Sequence, residues 1–175
     1  YLFEKGKFTE DQLEQAIIEL FQLQGYTYVH GENIHRQYED ILLEDDLRSY
    51  LLSQYKDLSD VELKKIIQKI ALIQSSPLYA GNRETFWLVN EGFDLQRDDI
   101  SKVALHIDYI DYEHPENNIF KVVNQYSVQG TRLRRPDLLI FINGIPVTIC
   151  EFKSAINEDT TIHDAWEQIT KRYTR

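Results

Sequence analysis

Residues 134–153 read R-R-P-D-L-L-I-F-I-N-G-I-P-V-T-I-C-E-F-K. Two apolar, β-branched stretches, 137–142 (DLLIFI) and 145–153 (IPVTICEFK), flank Asn143-Gly144, the strongest short signal for a β-hairpin. Into this hairpin the chain sets three charges: Asp137 near its first edge, Glu151 and Lys153 near its last. A charge buried without a partner is costly, so such a trio requires something that pairs with it. A divalent cation held by the two carboxylates, with a Lys beside it, meets that requirement and makes chemistry possible.

Strand alternation sharpens this expectation. Glu151 and Lys153 fall on one face and Phe152 on the other. A two-residue turn pairs Ile142 with Ile145, sets Asp137 across from Cys150, and puts Asp137 and Glu151 on opposite faces. A three-residue loop with Gly144 left-handed as a bulge pairs Phe141 with Ile145 and brings Asp137 diagonal to Glu151. A shared metal therefore predicts a bulged turn, or a bulge further along.

The spacing P-D-x13-E-x-K resembles the catalytic signature of the PD-(D/E)xK nuclease superfamily. The wider run is more specific: N-N-I-F-K-V-V-N-Q-Y-S-V over 117–128, then R-R-P-D, N-G-I-P-V and E-F-K. It resembles the N-terminal region of the restriction subunit of type I restriction endonucleases, from the first helix to about Tyr173. The resemblance implies an α/β fold of the PD-(D/E)xK type, a central mixed sheet flanked by helices with a helical insertion. It implies Mg²⁺-dependent hydrolysis of phosphodiester bonds in duplex DNA, with Asp137 and Glu151 as metal ligands. Lys153 is then expected beside the attacking water or the scissile phosphate. A Lys near bound metal has its ammonium form disfavoured, so it can orient or deprotonate water.

Superfamily members often place a Glu from the first helix beside the metal. E-Q-A-I-I-E-L-F-Q-L-Q-G-Y carries Glu14 in that place, as a third ligand; the plain alternative is a solvated helix surface, and Glu10 and Glu19 are weaker candidates. Related nucleases carry Q-x3-Y, whereas Gln168 and Tyr173 form Q-x4-Y, so only Gln168 is carried over as a site residue. Arg134 and Arg135 read equally as phosphate contacts or as charges that solubilise a strand entry. In the whole protein the resemblance implies an ATP-driven DNA translocase motor outside these residues, and assembly with modification and specificity subunits.

Composition agrees in part. At 175 residues, 42% hydrophobic and 27% charged, the chain can bury the core of one domain, 1–175, with a helical insertion at about 36–76. There is no apolar run of membrane-spanning length and no cleavable signal pattern. The single cysteine, Cys150, forms no internal disulfide and fits a reducing cytoplasm. The chain opens without Met and reads as a fragment. Its net charge of −10 argues against a dedicated DNA-binding module. The charge is uneven: Glu39, Asp40, Glu44, Asp45 and Asp46 cluster early, while Arg132, Arg134, Arg135, Lys153, Lys171, Arg172 and Arg175 fall near or after the hairpin. Two rivals stand beside the restriction nuclease. One is a non-catalytic docking module of the same fold, which the acidic charge favours. The other is a stand-alone repair or Holliday-junction nuclease, which would need a more basic surface. The dispersed histidines give no zinc pattern, and no phosphate-binding loop of the G-x-x-x-x-G-K type occurs.

The remaining elements follow from periodicity. Thr9 and Asp11 predict a helix cap, with the helix over about 10–24, Leu13, Ile17, Leu20 and Phe21 on one face, and Gly25 as its stop. Tyr26–Val29 reads as a strand. Residues 38–74 carry helical spacing with a break at Ser59 or Asp60. Residues 82–97 read as a strand pair about Glu91-Gly92, and 103–112 and 119–128 as strands joined by the loop 114–118. A helix over about 161–173 closes the chain.

Overall fold

Thr9 starts the first helix through a reciprocal cap. In the computed structural model, which describes residues 9–73, 78–130, 132–153 and 162–173, the Thr9 hydroxyl accepts the Gln12 N–H and the Gln12 side chain accepts the Thr9 N–H. Two donors that a helix start leaves open are thereby satisfied. The helix α1 spans Glu10–Leu23 and ends before Gly25, whose φ of 93° suits a residue without Cβ. Its buried stripe centres on Ile18, flanked by Ile17 and Phe21, while Leu20 is half exposed. The stripe is rotated from the expected Leu13–Ile17–Leu20 line, and that rotation turns Glu14, four residues before Ile18, inward.

The other elements, in order, are β1 (Thr27–His30), α2 (Glu44–Gln54), α3 (Asp60–Leu72), α4 (Leu78–Glu91), β2 (Phe93–Leu95) and β3 (Leu105–Ile107). Then come β4 (Phe120–Asn124), β5 (Val128–Gln129), β6 (Leu133–Arg134), β7 (Leu138–Ile142), β8 (Ile145–Cys150) and α5 (Ile162–Tyr173). The chain divides into two units: Tyr1–Ile41, Phe120–Phe141 and Pro146–Arg175 form one, and Leu42–Ile119 with Ile142–Ile145 the other. The second unit begins at Leu42 and runs on through α4, β2 and β3.

In the first unit the main sheet has the order β1-β4-β7-β8. β1 and β4 run parallel, from Thr27 beside Lys121 to His30 beside Asn124. The Gln125 N–H donates to the Asp137 carbonyl, so the end of β4 meets the start of β7 and the two run antiparallel. A short turn returns β8 along β7. The sheet is mixed, as expected, and its topology gathers the C-terminal ends of β1, β4 and β8 with the start of β7 at one end. α1 covers one face, where Ile18 packs with Val122, Leu138 and Ile140.

The second unit is built around Leu47, Leu51, Leu63, Ile66, Ile70, Ile107 and Tyr109. Here the expected strand pair over 82–97 is corrected. Residues up to Glu91 are helical, and only Phe93–Leu95 is a strand, paired antiparallel with Leu105–Ile107. The run Phe86-Trp87-Leu88-Val89 has strand-like composition, but Leu88 faces the core while Phe86 and Trp87 stay exposed. Gly92, with φ of 63°, ends the helix instead of turning a hairpin.

The turn at the tip of the β7–β8 hairpin is also corrected. Asn143 and Gly144 have φ of 51° and 77°, the pair of left-handed residues of a two-residue type I′ turn. The three-residue bulged loop is absent. Asn143 is buried, accepts the Ile119 N–H at 2.7 Å and donates to the Tyr109 carbonyl at 2.8 Å. Gly144 passes so close to Leu43 that a Cβ would lie 2.2 Å from its carbonyl oxygen. These contacts select the tight turn.

Glu62 anchors the second unit by closing the capping box of α3 with Ser59 and pairing with the Arg97 Nε at 2.8 Å. Both side chains of the pair are buried, and Glu62 also accepts the Asp98 N–H. Arg97 first, then the Ser59 N–H, hold the Glu62 carboxyl down at about 2, against its ordinary 4.5. A depressed carboxyl contributes stability above its unfolded value and loses it as pH falls through its folded one. Glu62→Ala should therefore destabilise the chain near neutrality, with Asp57 left as the remaining ion-pair partner of Arg97. In chemical denaturation, the gap between native chain and variant should narrow as pH falls from about 4.5 towards about 2. A gap that does not change with pH would show that the ionised pair is not its source.

Among the described residues no helix is long and apolar enough to cross a membrane.

Candidate functional site

Asp137 stands where a buried strand begins. Pro136 before it and Leu138–Phe141 after it are buried, and Asp137 itself is half-buried. Its Oδ2 accepts the Phe152 N–H at 2.7 Å. That peptide joins Glu151 to Phe152, so the two open ends of the hairpin are tied together at the Asp137 carboxylate. Its charge is felt at the neighbouring thiol: burial first, then Asp137, pushes the Cys150 thiol above its ordinary value.

The two-residue turn alone would set Asp137 and Glu151 on opposite faces. That rule applies only within the paired strands, and neither residue lies there. β7 begins at Leu138 and β8 ends at Cys150, so both carboxylates are in the segments that leave the ladder, where alternation no longer fixes direction. Glu151, Phe152 and Lys153 are all half-buried.

Glu14 is not a freely solvated helix residue. It is half-buried and its Oε1 accepts the side-chain N–H of Asn124 at 2.7 Å. Asn124 closes β4, is buried, and through Oδ1 accepts the Tyr28 hydroxyl at 3.1 Å. The next residue, Gln125, bonds the Asp137 carbonyl. Glu14 and Asp137 are thus linked through two adjacent residues at the end of β4. Glu10 and Glu19 are exposed on α1, and Glu19 accepts from Gln15.

The other expected site residues lie near β6 and on α5. Arg134 lies half-buried in β6 and Arg135 is exposed. Gln168 and Tyr173 belong to α5, but their side chains lie outside the described residues, as does the segment 154–161. Among the described residues no three His, Cys, Asp or Glu side chains converge as a metal-binding group.

The two acidic residues that the topology brings to one end of the sheet, Asp137 before β7 and Glu151 after β8, carry hard oxygen donors. Mg²⁺ prefers such donors and is usually held by one or two carboxylates with water and substrate phosphate completing its shell. The donor chemistry fits Mg²⁺ and does not suit a soft-metal site. Tyr28 and Asn124 escaped the sequence reading. The available signal was an amide closing the otherwise apolar strand Phe120–Asn124, where a polar side chain needs a partner.

The family description "Type I restriction enzyme R protein N terminus" matches residues 7–175. The chain is 29% identical over 169 residues to a Methanocaldococcus jannaschii protein named as the type I restriction enzyme MjaIXP endonuclease subunit, covering 90% of this chain and 16% of that protein. It is 22% identical to the type I restriction enzyme HindI endonuclease subunit of Haemophilus influenzae, over 91% of this chain and 16% of the relative. It is 28% identical to the type I restriction enzyme SsaAORF53P endonuclease subunit of Staphylococcus saprophyticus, over 93% and 16%. The chain therefore spans 16% of the length of these curated relatives. With almost its whole length matched, this chain belongs to the family of type I restriction enzyme R protein N termini.

Proposed function

We propose that this chain is the DNA-cleaving region of a type I restriction subunit, a Mg²⁺-dependent endonuclease of the PD-(D/E)xK type that hydrolyses phosphodiester bonds of duplex DNA in the cytoplasm. The observation that carries the reading is the Asp137 carboxylate bonded to the Glu151–Phe152 peptide, with Lys153 one residue beyond. Asp137 and Glu151 would hold the cation, with Glu14 as a further carboxylate. When bound, Mg²⁺ lowers the pKa of coordinated water and offsets charge that builds on the phosphate.

The chain's own residues then have distinct tasks. The Phe152 N–H fixes one Asp137 oxygen and so sets the direction of the other. Lys153, half-buried, presents an ammonium to the scissile phosphate or orients the attacking water by hydrogen bonding. Arg134 and Arg135 would contact flanking phosphates, and Gln168 would approach from α5. The ATP-dependent motor, and the modification and specificity subunits, would hold and deliver the duplex that this acidic region holds poorly.

The test is cleavage of circular duplex DNA by the complete subunit in its assembly, with Mg²⁺ supplied and with it chelated. Cleavage only in the presence of the metal is expected; cleavage that survives chelation rejects the reading. Glu14→Gln should slow cleavage by about tenfold or more, on the scale of losing one ligand or its support, with the unfolding midpoint unchanged. Undiminished cleavage would return Glu14 to a structural role. The net charge of −10 favours a second reading, a non-catalytic docking module of the same fold. In that case the assembly would still cut DNA after Asp137 is replaced.

A further inference from the structure

At the end of β4 a buried amide, a tyrosine hydroxyl and a helix carboxylate form one chain of hydrogen bonds. An ionised carboxylate only accepts, so Asn124 must turn its NH₂ group to Glu14 Oε1, 2.7 Å away. The Tyr28 hydroxyl donates to the amide oxygen, Asn124 Oδ1, at 3.1 Å and holds the amide from its other end. One oxygen of the Glu14 carboxylate is thereby held by a donor, and the remaining acceptor capacity of the carboxylate is given a defined direction.

The backbone under this network is equally constrained. Gln125, next to Asn124, has φ of 52°, a left-handed conformation unfavourable for a residue with a side chain. That conformation is held from two sides. The Gln125 N–H bonds the Asp137 carbonyl, and Gly31 lies so close that a Cβ there would sit 2.7 Å from the Gln125 carbonyl oxygen and 2.8 Å from that of Asn124. Tight packing against glycine and an uncommon φ thus occur at the residue pair that touches both Glu14 and Asp137.

We propose that Asn124, held at its oxygen by the Tyr28 hydroxyl, is a positioning residue that fixes the Glu14 carboxylate relative to Asp137. The inference rests on the reading of Glu14 and Asp137 as metal-site carboxylates. It assigns Asn124 no contact with the metal or the substrate. It predicts that Asn124 and Glu14 are coupled in metal binding, which a merely structural amide would not be.

The experiment is calorimetric titration of this chain with Mn²⁺ at neutral pH, with the thermal unfolding midpoint read for each variant. Asn124→Ala should weaken Mn²⁺ binding roughly tenfold, as is common when the partner of a metal ligand is lost. In a Glu14→Gln background the same change should alter binding by less than about twofold, because two residues acting through one interaction are non-additive. Tyr28→Phe keeps the ring, removes the hydrogen bond that steadies the amide oxygen, and should give a smaller loss of the same kind. An equal loss from Asn124→Ala in both backgrounds, or no loss in either, overturns the proposal. Asp137→Asn separates the two levels. If it leaves Mn²⁺ binding intact, the metal-site reading falls and this inference with it; if it abolishes binding while the Asn124–Glu14 cycle is additive, this inference alone falls.

Discussion

Asp137→Ala and Glu151→Ala, each introduced into the complete restriction subunit, should lower the rate of duplex cleavage by at least about a hundredfold, while ATP hydrolysis continues at its native rate. The magnitude follows from the task assigned to the two carboxylates. Charge on the phosphate rises during hydrolysis, and removing one fixed electrostatic contributor from such a site commonly costs a factor of about 10²–10³. Lys153→Ala should fall in the same range if its ammonium meets the phosphate or the water. ATP hydrolysis is expected to persist because the motor is assigned to other parts of the polypeptide. Loss of cleavage and ATPase together would point to misfolding. The risk is real for Asp137, since its Oδ2 also ties the Phe152 N–H to the start of β7. Asp137→Asn retains an acceptor for that N–H and is the cleaner comparison.

A second large effect is expected in binding. This chain alone should hold duplex DNA no tighter than about 10⁻⁵ M at physiological salt, within the range of weak non-specific association. It carries 29 acidic against 19 basic side chains, and its average field repels phosphate. Several of its basic groups are already engaged: Arg97 with Glu62 and Asp57, Lys102 with Asp57, and Lys65 with Asp98. A nuclease fed by a motor tolerates this, because the motor supplies the local concentration of DNA. Titration of a fluorescent duplex in Ca²⁺ checks the value. Nanomolar binding would instead favour the stand-alone repair nuclease.

Legibility differed between local and tertiary features. Thr9 and Ser59 announce helix starts because a cap is a contact between residues three apart, and both form capping boxes. Asn143-Gly144 announces the hairpin for a similar reason. Its loop length was less legible, since the tight turn is selected by Ile119, Tyr109 and Leu43, all distant in sequence. Phe86–Val89 misled because aromatic and β-branched residues suit strands, yet Leu88 and Val89 pack on the core while Phe86 and Trp87 stay exposed, as on one side of a helix. At the candidate site, Asp137, Glu151 and Lys153 were visible through their spacing. Asn124 was not, because its hydrogen-bond partners Tyr28 and Glu14 lie 96 and 110 residues away along the chain.

The central claim is that Asp137 and Glu151 share one metal ion. Crystals of this chain soaked in Mn²⁺, with diffraction recorded at the manganese edge, test it without any need for activity. The expected result is an anomalous peak between the two carboxylates, within about 2.0–2.3 Å of an oxygen from each, as hard divalent cations bind. Well-ordered carboxylates directed to opposite sides of the sheet, with no peak at either, would contradict it.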